Sequence, residues 1–137
     1  MALEEYRAPT KVKLAALWAS TMFCYIYCDY FGLYVAGTVN EMNRGVLGPL
    51  GPATPALLMA VSVMMAVPSL MVALTLLLPA PAAKWTNLVL GLCYTVIEAL
   101  TLTGSPPFYI LLGVIEMIMT LAIAFIALRW PREPRGG

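Results

Sequence analysis

An all-α integral membrane protein, a bundle of four transmembrane helices with both termini in the cytoplasm, is the fold class this sequence predicts. Three observations carry it. Of the 137 residues, 61% are hydrophobic and only 11% charged, where a soluble domain has about 45–50% apolar and about 25% charged residues. The mean hydropathy is +0.85. Eleven prolines and ten glycines gather between long apolar runs, as helix punctuation does. So little charge cannot cover a water-facing surface, which excludes a soluble globule, a disordered chain and a secreted disulfide scaffold. A net charge of +1 gives no basic face for nucleic acid. The absence of histidine removes Ser–His and Cys–His nucleophiles, imidazole metal sites and bis-histidine haem.

A bilayer core of about 30 Å asks for about 20 apolar residues of helix, and four segments supply them: about 14–35, 56–78, 85–103 and 108–128. The first follows Arg7, Lys11 and Lys13. It exceeds the 7–15 residues of a signal-peptide core, lacks a small-x-small cleavage pattern and carries Asp29, so it reads as a retained span. The loop from Gly37 to Thr54 is too short for a domain, and 1–137 reads as one unit. The second span contains Pro68, which frees a carbonyl one turn earlier, around Met64. Pro79-Ala80-Pro81 introduces the third span, Gly104-Ser105-Pro106-Pro107 the fourth. Lys84 and the basic tails 1–13 and 129–137, with Arg129, Arg132 and Arg135, lie on one side; only Arg44 lies on the other. The positive-inside rule then places both termini in the cytoplasm, with Trp18, Trp85 and Trp130 as interfacial anchors on that face.

Chemistry concentrates in three acids, Asp29, Glu98 and Glu116, inside spans one, three and four, with no deep Lys or Arg to neutralise them. A central charge costs about 2.5–3.5 kcal/mol on the insertion scale, and holding a glutamate protonated at neutral pH costs about 4 kcal/mol. The two are comparable, so modest changes in neighbours decide the charge state. A rise of about 1.5 Å per residue puts Asp29 and Glu98 roughly 8 Å and Glu116 roughly 12 Å from the outer ends of their spans. Helical steps of three and four then align Trp18, Met22, Tyr25, Asp29 and Gly32 on span one. They align Gly91, Tyr94, Glu98 and Thr101 on span three, and Tyr109, Gly113, Glu116 and Thr120 on span four. Asp29, Glu98 and Glu116, with Tyr25, Tyr94 and Tyr109, are therefore the candidate ligand-binding residues. Acids simply hydrogen-bonding between helices are the plainer reading, at about 0.6 kcal/mol per bond.

Cys24 and Cys28 share a helical face and could seed a soft-metal site, but without histidine they read as small apolar packers, like the nine methionines. The repeated Val-Ile-Glu at 96–98 and 114–116 is too short to establish internal symmetry.

The string Tyr25-Ile26-Tyr27-Cys28-Asp29-Tyr30-Phe31-Gly32-Leu33 resembles the first span of an uncharacterised bacterial family of small four-span membrane proteins. Leu78-Pro79, Lys84-Trp85-Thr86-Asn87, Tyr109, Ile115-Glu116 and Trp130 extend the resemblance over nearly the whole chain. It implies a bacterial cytoplasmic membrane location, carries over Asp29 and Glu116, and implies no chemistry. The architecture is more distantly similar to small four-span families linked to redox or quinone metabolism. Small multidrug exporters are similar in length and span number, but their key glutamate lies in the first helix.

The leading functional expectation is an intramembrane carboxylate site that binds or transports protons, cations or a cationic small molecule, in a homo-oligomer. The alternative is an accessory or assembly subunit of a membrane complex, or a lipid- or quinone-binding protein. An enzyme is the least favoured class, because no hydrolase signature or metal set occurs, and no cofactor is expected.

Overall fold

Proline decides where the long helices begin. Its missing N–H costs nothing in a first turn and its fixed φ suits the helix. In the computed structural model, which describes residues 3–132, Pro9 precedes α1 (Thr10–Gly32) and Pro55 opens α3 (Pro55–Leu77). Thr54 caps α3 by accepting from the Leu57 amide at 3.2 Å. Pro79 precedes α4 (Ala80–Thr101), and Pro107 opens α5 (Pro107–Leu128). The expected break at Pro79-Ala80-Pro81 is thus shorter than its composition suggests: Pro81 is accommodated in the first turn of α4, which starts at Ala80 rather than 85. The expected plain loop after span one contains a short helix, α2 (Thr38–Asn43), and a single 3₁₀ turn at Gly48–Leu50. Gly37, at φ +92°, turns the chain into α2 in a backbone conformation that favours glycine. Arg135 and Glu133 lie outside the described residues.

The described residues form five α-helices and no strand. Two helices, α3 and α5, are long and apolar enough to cross a membrane. The other two long helices match them in length but carry Trp, Tyr, Asn and acids that dilute their hydropathy. α5 lies between α1 and α4, α1 also packs on α3, and α3 only brushes α4. Neighbours run antiparallel, as the pairing of Lys11 with the last turn of α3 and of Gly91 with Ala124 requires.

The core gathers Leu14, Trp18, Tyr25, Met71, Tyr94 and Ile123. Its closest backbone approach is at Gly91, where a Cβ would lie 3.0 Å from the Thr120 carbonyl and 3.1 Å from the Ala124 amide. Glycine is what lets α4 and α5 close. Near the chain-termini end a buried polar knot ties three helices. The Trp18 indole N–H donates to Asn87 Oδ1 at 2.8 Å, and the Asn87 amide donates to Thr75 Oγ1 at 3.1 Å and to the Ala83 carbonyl at 2.7 Å. Trp18 is fully buried. This corrects its assignment to an interfacial belt: the indole N–H finds its partner inside the bundle, not at a water boundary. Trp85 is exposed and Trp130 half-buried.

Asn87→Leu should leave the Trp18 N–H and the Thr75 hydroxyl without this partner at a cost of about 1–3 kcal/mol. Unfolding of the variant and the parent chain in the same micelles measures that loss.

The third helix is held unevenly. Its buried residues, Pro68, Met71 and Thr75, all lie at or beyond the proline. Its last turn is clamped by the Lys11 ammonium, which donates to the Leu76 carbonyl at 3.2 Å and to the Leu78 carbonyl at 2.5 Å. A cation there satisfies orphan carbonyls and the negative end of the helix dipole.

Candidate functional site

The buried line of α4 runs Ala83, Asn87, Gly91, Tyr94, Glu98, and that of α5 includes Gly113, Glu116, Thr120 and Ile123. Both step by three and four residues, so each glutamate occupies a core-facing position. Glu98 and Glu116 stand at matching heights of this antiparallel pair, and their carboxyls come within hydrogen-bonding reach. Glu98 is 8% exposed and Glu116 2%. Gly113 makes room: Glu98 Oε2 lies 3.9 Å from where a Cβ at that position would stand, and Leu102 packs over the same glycine.

Tyr25 completes the group from α1. Its hydroxyl lies beside Glu98 but makes no hydrogen bond of ordinary geometry, and Glu116 Oε1 is likewise buried without a partner. None of the groups acting on Glu116 is basic. Below the acids, the Thr95 and Thr120 hydroxyls meet at 2.8 Å, and Thr120 also donates to the Glu116 carbonyl at 3.0 Å. These bonds brace the α4–α5 seam on the side facing the chain termini.

The remaining candidates are placed differently. The buried line of α1 is Leu14, Trp18, Thr21, Tyr25, Cys28, rotated from the expected line through Met22, Asp29 and Gly32. The small, weakly polar thiol of Cys28 takes the buried position at far lower desolvation cost than a carboxylate. Asp29 is exposed. It lies only three residues, about 4.5 Å, from the end of α1 at Gly32. The structure thus unites two of the three acids, and among the described residues no three Cys, Asp or Glu side chains approach closely enough to hold a metal ion.

Tyr94 is buried, but its hydroxyl turns away from the acids and donates to the Met64 carbonyl. That is the carbonyl Pro68 deprives of its helical donor. Its ring stands edge-on to Trp18, with centroids 6.0 Å apart. Tyr109 is half-buried in the first turn of α5, beside Thr101 and near Glu98 and Asp29. Cys24 is half-buried and Cys93 exposed, both as free thiols. Grooves lined by Phe23, Ile26, Tyr27 and Tyr30, and by Trp85, Thr86, Val89 and Leu90, lie on outward faces and touch no acid.

Asn87, fully buried, was not among the candidate residues. Asn87 stands one turn before Gly91 on the line already drawn through Tyr94 and Glu98, so extending that line would have found it.

Tyr94→Phe should release the first half of α3, whose residues before Pro68 include none that is buried. Hydrogen exchange should quicken there severalfold, while amides of the α4–α5 seam stay protected.

Fold and site together define a small all-helical protein with an apolar exterior and a buried, unneutralised glutamate pair. The chain belongs to the DUF6326 family, a family of unknown function, whose model matches residues 1–135. No curated protein and no solved structure matches it.

Proposed function

We propose that the chain is a four-span protein of the bacterial cytoplasmic membrane, with both termini inside, whose Glu98–Glu116 pair binds and exchanges protons or small cations. One observation carries this reading: two buried carboxyls within reach of each other, with no base among the groups that act on Glu116. Two unit charges about 4 Å apart repel by about 4 kcal/mol at an effective dielectric of 20. A shared proton or a bound cation removes that repulsion, so the pair is stable only when it holds one or the other.

The membrane placement of all four long helices is supported by what each turns outward. Phe23 on α1 is 63% exposed, Met59 on α3 66%, Leu100 on α4 75% and Leu111 on α5 63%. Lipid covers such side chains without cost, and water does not. Lys11, Lys84 and Arg129 gather at the end where α1 and α4 begin and α5 ends, which supports that end as the cytoplasmic one. Four helices packed this tightly enclose little space, so transport needs a homo-oligomer.

The test is proton flux in liposomes carrying a pH dye. A cation gradient should drive proton movement through the parent chain, and Glu116→Gln should reduce it to the liposome background. Flux that persists in Glu116→Gln, or is absent in the parent, contradicts the proposal.

A second reading rests on Asp29. An exposed carboxyl on α1 suits contact with a partner helix, a lipid or a quinone headgroup. Purification from native membranes with a stoichiometric second protein supports that reading, and a self-associated species alone counts against it.

A further inference from the structure

We infer that the Glu98–Glu116 pair, with Tyr25, is a site for one dehydrated small alkali cation, sodium or lithium, taken up in exchange for one proton. The inference rests on the proton-binding reading of the pair and adds the identity of the competing ion. Its observation is separate from that reading: two buried oxygens, Tyr25 Oη and Glu116 Oε1, have no hydrogen-bond partner. Both flank Glu98, one from α1 and one from α5. An unsatisfied buried polar atom is costly, and here two of them converge from different helices on one carboxyl.

The chemistry of these atoms selects the occupant. Carboxylate and phenol oxygens are hard donors, suited to alkali and alkaline-earth ions rather than to soft metals. Calcium takes six to eight oxygens and magnesium a near-ideal octahedron, usually keeping several waters. Three buried side chains, Tyr25, Glu98 and Glu116, do not provide either shell. An organic cation meets the same obstacle, since both glutamates are closed off by their neighbours.

Charge balance favours a monovalent ion. With one proton on the pair the site carries −1. When the cation enters, the O–H bond breaks, the proton leaves to water, both carboxylates are ionised and the site again carries −1. A divalent ion would leave it neutral. The exchange therefore proceeds at constant buried charge.

The experiment adds lithium, sodium, potassium or choline chloride, at constant ionic strength, to the purified full chain in weakly buffered detergent, and follows released protons with a pH dye. The infrared carbonyl band of a protonated carboxyl is recorded on the same samples. Sodium or lithium should release up to one proton per chain and bleach the band, while choline does neither. Tyr25→Phe should weaken the apparent cation affinity at least tenfold and leave the band in cation-free buffer intact. Glu98→Gln, as a second variant, should abolish cation-driven release. If the band is present but neither sodium nor lithium releases protons, this inference fails and the proton-binding reading stands. If choline matches sodium, or Tyr25→Phe binds as the parent does, the inference also fails. If the cation-free chain shows no band, both readings fail together.

Discussion

Gly91→Leu is expected to separate α4 from α5 and cause the largest loss of stability of any single change in the bundle. Even a bare Cβ would lie 3.0 Å and 3.1 Å from two backbone atoms of α5, and backbone cannot rotate aside as a side chain can. Inserting methylenes into a packed interior costs about 1–3 kcal/mol where neighbours can adjust. Here the adjustment is the movement of a whole helix, so the upper part of that range or beyond is expected. The seam below the acids opens with it: the Thr95–Thr120 contact at 2.8 Å is lost, and so is the approach of Glu98 to Glu116. Unfolding in micelles should show the destabilisation, with Gly91→Ala intermediate. A Gly91→Leu chain as stable as the parent would mean that α4 and α5 are not in backbone contact.

The second large effect falls on function and spares the fold. Glu116→Gln keeps the shape and size of the buried side chain and can donate a hydrogen bond to Glu98, so folding should change little. Under the proposed function it removes one of the two charges whose repulsion, about 4 kcal/mol at 4 Å and an effective dielectric of 20, would make the pair hold a proton or a cation. Proton exchange should then fall to the background of empty liposomes while the far-ultraviolet circular dichroism is unchanged. Glu41→Gln, an exposed change on α2, should do neither. Glu116→Ala separates packing from charge: it should lose exchange and also stability, by about 2–5 kcal/mol, the range for truncating a large core side chain.

The sequence made the helical architecture plain, since apolar runs between Pro and Gly leave few alternatives. The line through Gly91, Tyr94 and Glu98 was readable because polar and small residues recur at helical spacing in otherwise apolar text. Pro68 pointed to the Met64 carbonyl because the lost donor lies a fixed number of residues away, and Tyr94 supplies the replacement. What failed on α1 was the rotation of the helix. Cys28 and Asp29 both fit its period, and the reading followed the charge, whereas burial goes to the group that loses least on leaving water. Trp18 was misplaced for a related reason. Its position near one end of a span suited a belt, and only the distant Asn87, 69 residues on, showed that its N–H is satisfied inside.

The most direct measurement of the central claim is the infrared count of protonated carboxyls at neutral pH in the micelle-bound chain without added alkali cations. The expected result is a carbonyl band from one buried proton that survives Glu41→Gln and is lost in either single Glu→Gln variant and in Glu98→Gln/Glu116→Gln. A band that survives the double substitution, or a parent chain without one, would contradict it.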